Sequence, residues 1–222
     1  MSKISINERY ELFRNLKDIS NDVRSSAAWA LGQLGDKKAI PALIELLDND
    51  PYNNVRNSAA YALSELGYKE AIKPIIDLFK DSDNDMRWYT AQVLGKLGDV
   101  KAIQPLREFL NDSDIDVRRN VVWALGELGD KETIIKILTD PDNYVRLYAA
   151  CVLGELGYKE AIQPLIELLK DPDWHVLRDA VEALGKLGDK EAIPYLRELI
   201  NNSDCITRKY VAEALGKLEA AI

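Results

Sequence analysis

Residues 117–129 read VRRNVVWALGELG, and their spacing is helical. At 100° per residue, Val117, Val121, Ala124, Leu125 and Leu128 converge on one side. Asp116, Arg119, Asn120, Trp123 and Glu127 gather on the opposite side. The acidic stretch NDSDID (111–116) precedes the pattern and Gly129 closes it, as helix start and stop signals require.

The passage recurs along the whole chain. ALGQLG stands at 30–35, VLGKLG at 93–98, VLGELG at 152–157 and ALGKLG at 183–188, with imperfect copies ALSELG at 62–67 and ALGKLE at 214–219. Seven copies give fourteen glycine slots; Ser64 and Glu219 fill two, and the rest hold all 12 glycines of the protein. The arginine of the preceding VR dipeptide, or the residue in its place, falls at Arg24, Arg56, Arg87, Arg118, Arg146, Leu177 and Arg208. Between copies lies a second amphipathic pattern, AIxPLIxLL, ending in Asp, Asn or Ser. All eight prolines sit either in that pattern or just before the next VR dipeptide, so no linker is visible. Two helical patterns in a period near 31 residues define an array of helical hairpins. The boundaries fall near 1–35, 36–67, 68–98, 99–129, 130–157, 158–188 and 189–222, which makes one domain of seven hairpins and about fourteen helices.

This unit resembles the HEAT-like repeat of the phycobilisome-lyase class, and the artificial alpha-repeat proteins built from archaeal members of that class. The resemblance covers nearly the whole chain and implies an all-α, right-handed superhelix, with the VR helix on the inner, concave side. Its irregularities (Tyr68 and Tyr158 in place of Asp, one short repeat) point to a natural protein rather than a consensus design.

Composition narrows the function. The 47% hydrophobic and 30% charged content is that of a soluble globular chain. No apolar run approaches the roughly 18 residues of a membrane span, and the first twenty residues lack a signal-peptide core. A net charge of −8 argues against nucleic acid as a partner, and 2 cysteines with 1 histidine leave little for a metal centre. These counts lead us to expect a cytoplasmic binding protein without cofactor.

The side of each VR helix turned away from the core varies from copy to copy, whereas the core positions hardly change. It carries Trp29, Tyr61, Trp88, Tyr89, Trp123, Tyr144, Tyr148 and Tyr210, together with Arg119 and Arg178, and Trp174 lies one residue before it begins. Exposed aromatics and arginine are what binding surfaces enrich. With neighbouring helices about 8–10 Å apart, the aromatics of the first five repeats would form a track that gives way to charge in the last two. The bland alternative is that these rings lean over small residues and cover the seams between repeats. We expect a protein or peptide partner on this surface, no catalytic residue, and weak end-to-end self-association through the flank of the last helix.

Other features are weaker. Aspartate four residues before the recurring arginine (Asp83–Arg87, Asp114–Arg118, Asp142–Arg146, Asp204–Arg208) suggests an i, i+4 ion pair. DKETIIKILTD (130–140) has lost three residues and a proline, which predicts a first helix shorter by one turn. Cys151 and Cys205 lie two repeats apart, too far for a disulfide. His175 near a helix start suits an exposed capping turn better than catalysis. Among enzymes of similar architecture, deoxyhypusine hydroxylase needs His-Glu pairs that this chain lacks. HEAT-like DNA glycosylases need a basic groove. Bilin lyases share the repeat type and are the alternative reading, since an aromatic track suits a flat tetrapyrrole.

Overall fold

The computed structural model describes residues 5–81, 83–202 and 205–220, and every regular element among them is helical. The first helices of the hairpins are α1 (Ile6–Asn15), α3 (Ile40–Asn49), α5 (Ile72–Asp77), α7 (Ile103–Glu108), α9 (Lys131–Lys136), α11 (Ile162–Leu168) and α13 (Ile193–Asn202). The second helices are α2 (Asn21–Gln33), α4 (Asn53–Glu65), α6 (Asn84–Leu97), α8 (Ile115–Glu127), α10 (Asn143–Glu155), α12 (Trp174–Leu187) and α14 (Cys205–Ala220). The result is an all-α solenoid of helical hairpins. The chain gathers into two compact units, Met1–Ala124 and Leu125–Ile222, the division falling inside α8.

In the first unit α4 packs on α2 and α3, and α6 packs on α4 and α5. In the second, α12 packs on α10 and α11, and α14 on α12 and α13. The buried positions are those the periodicity selects: Val55, Ala59, Ala62 and Leu63 on α4 with Leu66 at its C-cap, and Val176, Ala180, Ala183, Leu184 and Leu187 on α12.

The two glycines of each LGxLG do different work. The second ends the helix with positive φ, from 64° at Gly67 to 81° at Gly129, where a side chain would be strained. The first sits mid-helix against the next repeat. A Cβ on Gly32 would lie 2.6 Å from Cα of Ala62, and one on Gly154 2.6 Å from Cα of Ala183, so only hydrogen fits.

Pro41, Pro74, Pro105, Pro164 and Pro194 fall in the first turn of the first helices, where an amide is not needed for the helical ladder. A 3-10 turn leads into α3, α5, α7, α11 and α13, for example Val100–Ala102 before α7. The short repeat lacks this turn, and α9 follows directly on Asp130 at its N-cap position. This corrects the expectation of a shorter helix: α9 has 6 residues, as many as α5 and α7, and the three deleted residues are the entry turn.

The acid–arginine expectation is also corrected. Asp83, Asp114 and Asp142 cap their own helices by accepting from the amides of Asp85, Asp116 and Tyr144 at 2.8 to 2.9 Å. The arginine instead points forward. Arg24 forks onto Asp50, Arg87 onto Asp112 and Arg146 onto Asp171, with N–O distances of 2.7 to 3.0 Å, and Arg56 reaches Asp81 at 3.0 Å. A further nitrogen donates to the carbonyl six residues back, as from Arg56 to Asp50 and from Arg87 to Asp81. Asp50, Asp81 and Asp112 thus take one arginine on the carboxylate and the next on the carbonyl, whereas after Asp171 the next arginine position is Leu177. Asp204 lies outside the described residues.

Candidate functional site: the face of the second helices

Because the core side of each second helix is fixed by its apolar stripe, the opposite side is left to surface residues. Each unit presents such a face.

In the first unit, Trp29 and Trp123 are 52% and 40% exposed, large values for indoles on helices that already bury a full apolar side. Tyr61, Trp88 and Tyr89 are only half-exposed, because they rest on one another. The Tyr61 and Tyr89 rings lie tilted at 6.4 Å between centroids, and Trp88 meets Tyr89 edge-on at 5.7 Å. Asp85 fixes the indole of Trp88 by accepting from Nε1 at 2.9 Å. Lys96 lies 4.4 Å over the Tyr61 ring, donates to its hydroxyl at 3.0 Å and pairs with Glu65. Burial lowers the Lys96 pKa, but the bonds to Glu65 and Tyr61 outweigh it and raise it overall. Tyr89, desolvated and beside Tyr61, is pushed up to about 12. This cluster is preorganised, with one cation (Lys96) against two carboxylates (Glu65 and Asp85), and polar Ser25, Ser58 and Asn54 are joined by Ser25 Oγ contacts of 2.8 and 3.2 Å. Arg119 is exposed and pairs with Asp116 at 3.1 Å.

In the second unit Tyr144 and Trp174 are exposed and Tyr148 is half-buried. Arg178 lies between two rings, 5.7 Å from the centroid of Trp174 and 5.9 Å from that of Tyr210. Asp179 holds one edge of its guanidinium at 2.7 to 2.8 Å. Burial raises the Asp179 carboxyl although Arg178 opposes the shift. The His175 ring lies tilted against Trp174, 3.7 Å between centroids, and its amide donates to the cap Asp173. Cys151 and Cys205 are free thiols, Cys151 half-buried with its pKa raised by burial and by Asp179. Among the described residues no cluster of three His, Cys, Asp or Glu side chains is placed to hold a metal ion. No helix among them is long and apolar enough to cross a membrane.

Trp88, Tyr89 and Tyr61 cover a seam between α4 and α6, whereas Trp29, Trp123, Tyr144 and Trp174 project. Sequence reasoning missed a surface on the first helices, where Tyr195 (45% exposed), Ile166 and Leu169 border a shallow cleft of about 180 Å³ between α11 and α13. The signal was available: Tyr195 stands where other copies of AIxPLIxLL carry a small or apolar residue.

A family model for HEAT repeats matches residues 10–86, 72–135 and 132–216. The chain belongs to the HEAT-repeat family. As a HEAT-repeat protein it is similar to the phycocyanin lyase complex of CpcE and CpcF from Nostoc sp. PCC7120, at 23% identity over 98% of this chain and 96% of that one, with a TM-score of 0.58. YibA of E. coli aligns at 20% identity over 99% and 98% of the two chains, with a TM-score of 0.58. Human deoxyhypusine hydroxylase superposes more loosely, at 20% identity over 98% and 86%, with a TM-score of 0.48. No curated protein sequence matches the chain. The two likenesses with TM-scores of 0.58 show the fold alone.

Proposed function

We propose that this HEAT-repeat protein is a non-catalytic scaffold or adaptor that binds a protein or peptide partner on the face of its second helices. The observation that carries the reading is the exposure of Trp29, Trp123, Tyr144 and Trp174 on helices whose packing does not need them. Rigid aromatic side chains with few rotatable bonds are the typical anchors of binding surfaces. Around them stand paired charges and polar groups, Arg119 with Asp116 and Arg178 with Asp179, which set specificity more than affinity. Arg119 belongs to this face in the first unit, and Arg178, Tyr148 and Tyr210 belong to it in the second. The phycocyanin lyase neighbour is itself a complex of two chains, a use of this fold that accords with a protein partner. The two free thiols suit a reducing, cytoplasmic setting, and the unbroken repeat pattern is read as one domain.

The test is selection of binders from a displayed peptide library, followed by calorimetry on the tightest peptide. Trp123→Ala and Trp174→Ala, each checked for unchanged helicity and melting, are expected to weaken binding at least tenfold, the scale of an interface anchor. Peptides that bind both variants as tightly as the parent would overturn the assignment. A bilin titration run in parallel examines the lyase-like alternative: a saturable shift in the visible absorption of the pigment, lost in the same variants, would replace the scaffold reading.

A further inference from the structure

Every repeat junction with a helical glycine on one side and alanine on the other is built alike. Gly32 receives Ala62, Gly95 receives Ala124, Gly154 receives Ala183 and Gly185 receives Ala214. These receiving glycines all belong to the first glycine slot, and the alanines are 0 to 4% exposed. Among the described residues two members of the series lack a counterpart. Gly216 on α14 occupies the same slot, and a Cβ built there meets nothing within 4 Å. Ala30 on α2 occupies the alanine position, and it is half-exposed. It lines an open cleft of about 730 Å³ whose walls include Leu12, Val23, Ala27 and Trp29.

The aspartate stations repeat the asymmetry. Asp50 accepts from the amide of Tyr52, gives its carbonyl to Arg56 and receives the fork of Arg24 on its carboxylate. Asp18 accepts from the amide of Ser20 and gives its carbonyl to Arg24 in the same way. Its station is that of Asp50 without an arginine fork from a preceding repeat.

We propose that the protein associates head to tail with a second copy of itself, α14 of one copy seated in the cleft beside α2 of the next. Ala30 enters the notch at Gly216, and Arg208, at the position of Arg24 in its repeat, is brought to Asp18. The occupant is argued from continuity: the cleft offers an alanine knob and an aspartate station, and α14 carries the glycine notch and the arginine position that fill their equivalents inside the chain. Such a contact joins two different surfaces, so it leaves an unused head and an unused tail at each step.

The two surfaces can be blocked separately. Ala30→Arg obstructs the head and Gly216→Leu fills the tail notch; neither position is packed against a neighbouring repeat, and unchanged helicity and melting verify the fold. Asp18→Lys is a second head variant that leaves the cleft shape intact. In sedimentation velocity over a concentration series, the parent chain is expected to shift to larger species, and each blocked variant alone to remain a monomer. An equimolar mixture of Ala30→Arg and Gly216→Leu is expected to form a two-chain species and nothing larger, since only one head and one tail remain compatible. A parent chain that stays monomeric up to its solubility, blocked variants that associate like the parent, or a mixture that stays monomeric would each overturn the proposal. Trp29 walls this cleft, so peptide binding is scored on Trp123 and Trp174, which lie outside it, and the two readings fail separately.

Discussion

Nε of Arg87 lies 2.8 Å from Oδ2 of Asp112, and the two residues belong to successive repeats, 25 positions apart. A second bond of 3.0 Å from Nη2 to Oδ1 completes the fork. Only 13% of the arginine side chain and 8% of the aspartate side chain remain accessible, so this is a largely desolvated pair that binds one repeat to the next. Removing one partner of such a pair strands the other's charge. Arg87→Leu should therefore cost about 3 kcal/mol in urea unfolding. Arg87→Leu combined with Asp112→Leu should cost less than the sum of the single changes, and full additivity in that double-mutant cycle would refute the coupling.

The same pairs predict the acid limb of stability. Burial alone raises the Asp112 carboxyl, but hydrogen bonds from Arg87 and from the amide of Asp114 overcome it and hold its pKa below the ordinary value. Asp50 is held low in the same manner, burial being outweighed by Arg24 and the amide of Tyr52. A depressed folded pKa means that below about pH 4 the unfolded chain takes up protons first. The stability from these two aspartates is fully present above that pH and is lost as pH falls through their folded values. Urea midpoints measured stepwise into acid should fall across this window, and Arg87→Leu should flatten the fall.

Two glycines at the same slot should respond to one substitution with opposite sign. Gly32→Ala places a methyl group 2.6 Å from the backbone of Ala62 and should destabilise by about 1–3 kcal/mol. Gly216→Ala meets open space within a helix and should stabilise by about 0.5–1 kcal/mol, measured in dilute protein. Thermal melts of the two variants against the parent decide the matter.

The thiols should differ in reactivity. Cys205 is exposed, whereas Cys151 is half-buried and its pKa is raised, burial being the main cause and Asp179 adding to it. A disulfide exchange reagent at mildly alkaline pH should modify one thiol quickly and the second slowly, and peptide mapping should place the fast label on Cys205. Equal rates would contradict this placement of Cys151.

Helix content, core positions and the number of hairpins were legible because a seven-fold internal repeat displays its own constants. The forward arginine fork was not read, because an aspartate four residues away suggests a local pair more readily than one 25 residues away. Yet the cue was present: an aspartate follows Arg24, Arg56, Arg87 and Arg146 at a nearly fixed offset, and where Leu177 replaces the arginine the matching position is Asn202. The doublet LGxLG concealed two roles in one motif, since the close approach of Gly32 to Ala62 depends on a neighbouring helix rather than on its own. For the aromatic face, periodicity gave the side of each helix. It could not tell that Trp88 would be tied to Asp85 and laid against Tyr89, because that choice is made by rotamers.

The recurring arginine–aspartate joint makes the number of repeats a variable open to evolution. Arg24, Arg56 and Arg87 each reach for an aspartate in the following unit, and in each case the receiving station has the same form. A deletion or duplication of whole units, made in frame, rejoins one arginine to another unit's aspartate without inventing a new joint. Recombination can thus lengthen or shorten the surface offered to a partner, while each surviving junction keeps the bonds it already had.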